Sequence, residues 1–582
     1  MFNDLTMAAT RCISPSVSMH ACPSSKFMGS AVPQKPSTTQ TQRGLLHVNT
    51  SPQSSILTTT SLKIKEGERR KEEVGEVQEK TRRALRRDLD PMTAMKFIDS
   101  LQWLGVAYHY EEEIDFWLGK LSEWDACEDL NATALRFRLL RQNGRPVCSD
   151  VFQKFTTVGN RKFRKCLSQD KEGLWNLYEA SYLGAKGEDI LSEAMRFSES
   201  ELRLSVGGTL PQYLSRRVRR ALELPRHLRM ERLENRLYIH DYSAQINHSP
   251  LLLEHALSDY NQIQLLYQTE LAEISRWWKQ LGLVEKLSFA RDRPMECFLW
   301  TVGILPEPKY SGVRIELAKT IAILLVIDDI FDTYGTIDEL SLFMHAIQRW
   351  DLEAIDGLPE YMKICYMALY NTTNEIAYKV LKDHGRNVLP FLAKTWIDTI
   401  EAFMTEAEWF SNGCIPCVED YLENGVTTSG AYMALVHAFF LMGQGVTPHN
   451  INFMSKPYPK LFSNSGRILR LWDDLGTSKE EEARGDNASI MTLLMKEKNM
   501  GSGVEAGDYI AMQLIPSLWK DLNVELLSSN TLPLTLIRAC LNMCRTSQVI
   551  YQHQEDSYLS SVDRFVNFLL WEPICNSELM LC

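Results

Sequence analysis

Three carboxylates stand at the end of an apolar run near the middle of the chain. Residues Ile321–Ile327 lead directly into Asp328, Asp329 and Asp332. An apolar run of this kind predicts a buried helix. At about 100° per residue, Asp328 and Asp332 share one face of that helix and Asp329 lies to the side. Carboxylates this close repel unless a cation joins them, and Mg²⁺, which prefers oxygen ligands, is the expected cation.

A second polar stripe follows about 140 residues later. Asp473, Thr477 and Glu481 are spaced four residues apart, which places two carboxylates and a hydroxyl on one face of a helix. Arg470, one turn earlier, joins this face and suits a phosphate that a metal also holds. The alternative for either acidic segment is a solvated, charged helix face.

Two arginines precede the first acidic segment in the tripeptide Arg291-Asp292-Arg293. A pair of guanidinium groups can bind a departing anion. Taken alone, this tripeptide is weak evidence for an anion site, because it is short. Its weight comes from standing in one chain with the two acidic helices.

Together, the segments ARDRPMECFLWTVGILPEP, VIDDIFDTYGTIDEL and RLWDDLGTSKEEEARGD resemble the plant class I terpene synthases, in motif order and in spacing. The resemblance extends over essentially the whole chain beyond its first 62 residues. It implies three Mg²⁺ ions, with ligands Asp328, Asp329, Asp332, Asp473, Thr477 and Glu481. It also implies diphosphate contacts from Arg291, Arg293, Arg470, Asp328, Asp332 and Asp473. Mn²⁺ is an alternative, since carboxylates suit both ions.

The resemblance adds further candidates around the reacting carbon atoms. Trp300 is expected to turn its π face towards a carbocation, although core packing is the commoner role of a tryptophan. Tyr551 and Asp556 match a tyrosine and an aspartate near the pocket of some relatives. The segment Gly425–Met433 is rich in Thr, Ser and Gly, which predicts a helix break whose freed carbonyl groups face the cavity.

One family motif is missing. Many monoterpene cyclases carry two adjacent arginines and, nine residues after the second, a tryptophan. The pairs Arg69-Arg70, Arg82-Arg83 and Arg86-Arg87 have no tryptophan at that offset, and Trp103 is the first tryptophan of the chain. This absence resembles the subgroup that forms acyclic alcohols such as linalool and nerolidol. A cyclising or olefin-forming synthase, a prenyl-chain-elongating enzyme and a non-catalytic helical interaction protein are the alternatives.

Composition sets the domain organisation and excludes some partners. The chain has 582 residues, 45% of them hydrophobic, which is enough for two or more domains. A net charge of −11 argues against nucleic acid or an anionic membrane as a partner, and no apolar stretch approaches the ~20 residues of a membrane span. We expect a monomer that binds a small-molecule prenyl diphosphate.

Helical periodicity without strand signals predicts an all-α fold of two helical domains. Residues 1–62 are rich in Ser and Thr and contain a single acidic residue, Asp4, which is typical of a transit peptide. We expect a plastid address, with a mitochondrial or cytoplasmic location as the alternative. Residues 63–247 resemble the family's non-catalytic N-terminal α-barrel. Residues 248–582 resemble its catalytic, metal-binding α-bundle.

Overall fold

A computed structural model describes most of the chain from residue 74 onwards. The described ranges are 74–125, 128–159, 161–208, 210–245, 248–484, 490–497, 504–528, 532–552 and 562–575. Residues 80–582 form one compact unit. Within the described ranges the regular secondary structure is helical. The β-structure described there is an isolated antiparallel bridge between Thr156 and Phe163. The all-α prediction is confirmed, while the predicted transit peptide lies outside the described residues.

Short helices make up the first block. Its α-helices are α1 (Pro91–Trp103), α2 (Glu111–Glu123), α3 (Leu130–Gln142), α4 (Lys171–Ser181), α5 (Asp189–Ser205), α6 (Gln212–Glu223) and α7 (Glu231–Ser243). Turns of 3₁₀ helix cover Ala107–Tyr110, Ser149–Phe155, Lys165–Gln169 and Arg226–Leu228. Residues 74–85, before α1, are also helical.

Longer helices make up the second block. They are α8 (Pro250–Leu281), α9 (Leu283–Lys286), α10 (Pro294–Ile304), α11 (Ser311–Asp329), α12 (Ile337–Arg349), α13 (Glu360–His384), α14 (Leu389–Asn412), α15 (Val418–Thr428), α16 (Ala431–Met442), α17 (Pro448–Ile451), α18 (Lys460–Arg484), α19 (Ile490–Glu497), α20 (Val504–Leu527), α21 (Leu534–Tyr551) and α22 (Val562–Val566). Turns of 3₁₀ helix cover Pro308–Tyr310 and Leu352–Ile355, and π turns cover Ile330–Tyr334 and Asn567–Trp571.

The helical periodicity that begins at Met92 is divided between two helices. Between α1 and α2 the backbone turns at Gly105, whose φ is +76°. A β-carbon there would lie 2.6 Å from the side-chain oxygen of Asn235, so a residue with a side chain does not fit. The periodic residues of α1 are nevertheless fully buried, as their spacing predicts: Met95, Ile98 and Leu101.

The long helix α8 joins the two blocks. The hydroxyl of Ser249 caps its first turn by accepting from the backbone N–H of Leu252. Gly282 ends the helix in the left-handed region at φ +66°, where glycine is the favoured residue. The first turns of α8 contribute Leu252 and Tyr260 to the core of the first block. The domain boundary proposed between residues 247 and 248 falls immediately before this helix and stays a prediction.

Seven helices of the second block form the scaffold around the acidic segments. Helix α10 packs against α11 and α21, and α18 packs against α15, α16 and α21. Helix α11 also packs against α16, and the π turn that continues α11 rests on α14. This packing brings the end of α11 and the middle of α18 to one region, although 144 residues separate Asp329 from Asp473 along the chain.

The predicted helix break is present between α15 and α16, which meet at an angle of 41°. Three carbonyl groups beside this break accept hydrogen bonds from within it, and the prediction that freed carbonyl groups face the cavity stays a prediction. Ser429 donates its backbone N–H to the carbonyl of Gly425 and its hydroxyl to that of Val426, and Gly430 donates its N–H to that of Thr427. The small polar residues therefore satisfy the freed backbone groups locally.

Among the residues that the structure describes, no single helix is both long enough and apolar enough to cross a bilayer. Helices α15 and α16 reach that length and composition only when taken together as a bent pair.

We expect replacement of Gly430 by alanine to destabilise the fold. Gly430 has φ +74°, and a β-carbon there would lie 2.4 Å from Cδ2 of Leu324 on α11. Backbone strain of this kind costs about 1–3 kcal/mol, so the melting temperature of Gly430→Ala should fall in a thermal unfolding assay. Gly357→Ala is the control, because nothing lies within 4 Å of that position. Equal melting temperatures for the two variants would contradict this account.

Candidate active site

Arg291 holds the first acidic pair. Its Nη2 lies 2.7 Å from Oδ2 of Asp328, its Nε lies 2.5 Å from Oδ1 of Asp329, and its backbone N–H donates to Asp329. Burial alone would lower the pKa of Arg291, but the two carboxylates raise it. Burial raises the pKa of Asp329, and the guanidinium offsets only part of that rise. The result is a compact, partly buried cluster of three charges.

The loop that carries Arg291 is fixed from α8. The indole N–H of Trp278 donates to Oδ1 of Asp292 at 2.9 Å. Arg293 is buried at the N-terminus of α10. Burial, and then the charge of Arg291, lower the pKa of Arg293. The two arginines thus act on each other as like charges, which favours a bound anion between them.

Asp329 differs from the arrangement predicted from α-helical spacing. It does not lie apart from Asp328, because both carboxylates converge on one guanidinium. Asp332 belongs to the π turn. Desolvation and then the charge of Asp328 raise the pKa of Asp332 well above its ordinary value, and the shared face predicted for these two carboxylates stays a prediction. Tyr334 of the same turn stacks on Phe289, with ring centroids 4.2 Å apart. This stack ties the end of the acidic segment to the arginine loop.

Arg470 organises the second cluster from within α18. Its Nε lies 2.9 Å from Oδ1 of Asp474, its Nη1 lies 3.4 Å from Oδ2 of Asp473, and its Nη2 donates to the hydroxyl of Tyr421 at 2.7 Å. Arg470 is 3% exposed and Asp474 is 0% exposed. Burial would lower the pKa of Arg470, but Asp474 and the other acidic groups nearby raise it well above its ordinary value.

Asp473 keeps one oxygen available. It is 4% exposed, and its Oδ1 is buried without a hydrogen-bond partner. Thr477, one turn later, donates its hydroxyl to the backbone carbonyl of Asp473 at 2.9 Å. Burial raises the pKa of Asp473, while Arg470 and the hydroxyl of Tyr551 lower it. Helix α18 extends through the position of Glu481, whose side chain lies outside the described part of the structure.

Two of the three further candidates lie together. The rings of Trp300 on α10 and Tyr551 on α21 have centroids 6.1 Å apart, and both are buried. Burial and the charge of Asp473 raise the pKa of Tyr551 well above its ordinary value. The remaining candidate, Asp556, lies outside the described residues.

The two acidic clusters share one electrostatic environment. Burial first, and to a smaller extent the charge of Asp328, raises the pKa of both Asp473 and Tyr551. This agrees with the packing of both α11 and α18 on α16. Glu406 of α14 belongs to the same environment. Burial raises the pKa of Glu406, Arg470 opposes that rise, and Asp328 adds to it.

Three residues of this region were missed in the sequence analysis: Tyr421, Asp474 and Glu406. Asp474 carried a signal, since it stands four residues after Arg470, where an ion pair forms on a helix. Glu406 carried none, because its hydrogen bonds to Asn424 and Thr428 depend on how α14 packs on α15.

The donor atoms of this region fit a hard divalent cation. Carboxylate and hydroxyl oxygens are what such an ion prefers, and the buried, unpartnered Oδ1 of Asp473 is suited to one. Within the described ranges, no group of three or more His, Cys, Asp or Glu side chains is close enough to hold an ion by itself. When Mg²⁺ binds to proteins, water and ligand oxygens commonly complete its shell.

Comparison with protein families agrees with this arrangement. Residues 46–222 match the N-terminal domain of the terpene synthases, and residues 279–521 match the metal-binding domain of the terpene synthase family. This chain belongs to the terpene synthase family. Arg291, both acidic clusters and Thr477 fall in the matched metal-binding region, so this terpene synthase depends on a divalent metal.

Curated relatives extend over most of this terpene synthase. A chloroplastic monoterpene synthase from Cananga odorata is 61% identical, over 86% of this chain and 84% of its own. Geraniol synthase from Ocimum basilicum is 56% identical, over 85% and 86% of the two chains. R-linalool synthase from the same plant is 54% identical, over 86% and 87%.

Solved structures show the same fold. Isoprene synthase from grey poplar, in complex with three Mg²⁺ ions and dimethylallyl-S-thiolodiphosphate, superposes with a TM-score of 0.80 at 37% identity, over 87% of this terpene synthase and 97% of that chain. Limonene synthase with 2-fluorolinalyl diphosphate superposes with a TM-score of 0.81 at 34% identity, over 86% and 94%. The predicted two-domain, all-α terpene synthase fold is confirmed.

We expect Asp474→Asn to destabilise this terpene synthase. The substitution leaves the buried guanidinium of Arg470 without its nearest counter-charge, and breaking a buried ion pair costs about 3 kcal/mol or more. The melting temperature should fall, whereas that of Asp383→Asn, at an exposed position on α13, should not change. An unchanged melting temperature for Asp474→Asn would show that Asp473 and Tyr421 suffice to compensate the charge.

Proposed function

We propose that this terpene synthase ionises a prenyl diphosphate and captures the cation with water, forming an acyclic tertiary alcohol. Geranyl diphosphate would give linalool, and farnesyl diphosphate would give nerolidol. The observation that carries this proposal is that two arginine–carboxylate clusters, at the end of α11 and within α18, share one electrostatic environment with Tyr551, which lies beside Trp300.

Arginine side chains would bind and orient the diphosphate. Arg291 and Arg293 approach from the loop before α10, and Arg470 approaches from α18. In this structure the carboxylates of Asp328 and Asp329 occupy the guanidinium of Arg291. An incoming diphosphate would therefore compete with those carboxylates for Arg291, and the released carboxylate oxygens would become available to metal ions.

Asp328, Asp329, Asp332, Asp473, Thr477 and Glu481 would hold the metal. Bound divalent ions supply positive charge that stabilises the departing diphosphate. We propose three Mg²⁺ ions, with Mn²⁺ as a possible substitute. The isoprene synthase complex with three Mg²⁺ ions and a diphosphate analogue supports this number.

Ionisation would break the allylic C–O bond, and its electron pair would leave with the diphosphate. The resulting cation needs shielding from water until it is positioned. The faces of Trp300 and Tyr551 are suited to stabilise it, since aromatic rings attract cations. Water would then add at the tertiary carbon and lose a proton to complete the alcohol. Asp556 is retained as a candidate near this step.

The product assignment rests on the absence of the motif of two adjacent arginines and a tryptophan, and on the products for which the relatives are named. Two relatives above 50% identity are named for the acyclic alcohols geraniol and R-linalool. A trans-ocimene synthase and an alpha-thujene synthase from Litsea cubeba are less similar, at 43% and 40%. This ordering favours an acyclic alcohol over an olefin. Geraniol, in which water adds to the primary carbon, is the nearest competing product.

We further propose that the enzyme acts in plastids. The composition of residues 1–62 suits a transit peptide, and several relatives are named chloroplastic. A plastid location favours the ten-carbon substrate through supply. We propose a non-catalytic scaffold role for residues 63–247, catalysis by residues 248–582 and a monomeric state.

Product analysis tests the reaction. The enzyme without residues 1–62 is incubated with Mg²⁺ and either geranyl or farnesyl diphosphate, and the volatile products are separated by gas chromatography. We expect linalool or nerolidol as the dominant product, and the ratio of the two rates gives the preferred chain length. Geraniol as the main product would show that water attacks the primary carbon and would contradict the tertiary alcohol. Cyclic olefins would contradict the inference from the missing motif.

We expect Asp328→Ala to abolish turnover, with a loss of at least about 10²-fold, while the helix content stays that of the wild type. The fold should survive because Asp329 still pairs with Arg291. Activity is measured by product formation and folding by circular dichroism. Asp338→Ala, at an exposed acid of α12, is the matched control and should retain activity. Near-wild-type turnover of Asp328→Ala would refute the metal assignment.

A further inference from the structure

A cavity lined by residues of both blocks lies away from the two acidic clusters. Its volume is about 520 Å³. The first block contributes side chains from α1 to α4 and α7, and the second block contributes the segment between α10 and α11 together with one face of α21. This volume is within the range of small-molecule sites, about 300–1,000 Å³, and far exceeds the roughly 30 Å³ that one water molecule needs.

Two arginines of α21 face this cavity without a carboxylate partner. Arg538 and Arg545 are seven residues apart, which places them on one side of the helix. Among the described residues, neither guanidinium has a carboxylate within 4.0 Å; Arg538 donates to the side-chain oxygen of Asn143. Arg545 donates to the carbonyl of His227 and to the side-chain oxygen of Asn542. All of these acceptors are neutral.

The other basic groups of the lining are already paired. The pairs are Arg229 with Glu234, Lys309 with Glu111 and Glu307, and Arg138 and Arg226 with Asp99. Burial lowers the pKa of Arg545 to about 10, and Glu231 at the rim offsets only part of that effect. Arg538 and Arg545 are therefore the two lining cations that an additional anion would stabilise most.

Several buried polar atoms around the cavity have no hydrogen-bond partner among the described residues. Arg138 retains unpartnered Nε and Nη1 atoms, and the hydroxyl of Tyr310 has no partner. On the acceptor side, Oε1 of Glu179 and Oδ1 of Asn235 are buried and unpartnered. A buried polar atom without a hydrogen bond costs folding free energy. A site of this kind therefore favours a ligand that has both acceptor oxygens and a hydroxyl donor.

We propose that this interdomain cavity binds a small phosphate-bearing anion at Arg538 and Arg545. A hydrogen phosphate group has the required chemistry, because its charged oxygens accept from guanidinium groups and its hydroxyl can donate to a carboxylate or amide oxygen. Inorganic phosphate and a small phosphomonoester share this chemistry. The site is separate from the diphosphate-binding arginines and does not depend on the reaction proposed above.

Phosphate binding is measured by titration calorimetry on the whole protein in EDTA, at constant ionic strength set with chloride. EDTA removes divalent metal, so diphosphate-type binding at the acidic clusters is suppressed. We expect saturable binding of one inorganic phosphate per chain, and a parallel titration with glycerol 1-phosphate shows whether an esterified phosphate is also accepted. Absence of saturable binding by either compound would overturn the proposal.

Substitutions locate the site. Arg538→Gln and Arg545→Gln should each weaken phosphate binding about tenfold or more, as expected for the loss of a charged hydrogen bond. Arg276→Gln, at an exposed arginine of α8, makes the same charge change and should bind as the wild type does. Arg291→Gln should also retain binding. Loss of binding in Arg291→Gln with retention in Arg538→Gln would place the phosphate at the acidic clusters and refute the site.

The substitution at Arg545 removes the hydrogen bond to the carbonyl of His227 that ties α21 to the first block, so the folding of this variant is checked by circular dichroism. Should that variant not fold, Arg538→Gln carries the test, because Arg538 contacts only the side chain of Asn143 through a described hydrogen bond. Wild-type affinity in a folded Arg538→Gln protein would contradict the proposal.

Discussion

Burial of the Arg470 guanidinium is the constraint on which the catalytic half depends. A buried cation is stable only where opposite charge and hydrogen-bond acceptors surround it, and here Asp474 comes from the same helix while Tyr421 comes from α15. The two helices approach each other closely at Gly425, where a β-carbon would lie in tight contact, 3.2 Å, with Cγ and Cδ of Arg470. The hydrogen bond from Arg470 to Tyr421 thus links α18 to α15, while the ion pair with Asp474 lies within α18.

Pairing with arginine also stabilises the clustered carboxylates in the absence of a ligand. At the end of α11, Asp328 and Asp329 are neutralised by Arg291, which limits their mutual repulsion. Across the site, Arg470 pairs most closely with Asp474, so Asp473 retains a buried oxygen without a partner. Each cluster therefore contains an arginine that stabilises the folded state, and in the second cluster Asp473 also keeps an oxygen available for binding.

The first block contacts the last described residues of the second block. Arg236 of α7 donates to the carbonyl of Glu572, to which Gln264 of α8 also donates. Helix α21, which brings Tyr551 to the acidic clusters, also carries Arg538 and Arg545 to the interdomain cavity. One helix thus contributes side chains both to the catalytic region and to the cavity.

Local sequence determined the helical fold and the chemistry. Apolar periodicity, the Gly282 stop and the weak helix formers at Gly425–Met433 act through nearest neighbours along the chain, so their effects were predictable. The oxygen ligands and arginines were evident from spacing within single helices. Only the tertiary structure decided that Asp328 and Asp329 share one arginine, and that Tyr421 and Glu406 join the site. Those contacts come from packing between segments distant in sequence, which helical spacing does not encode.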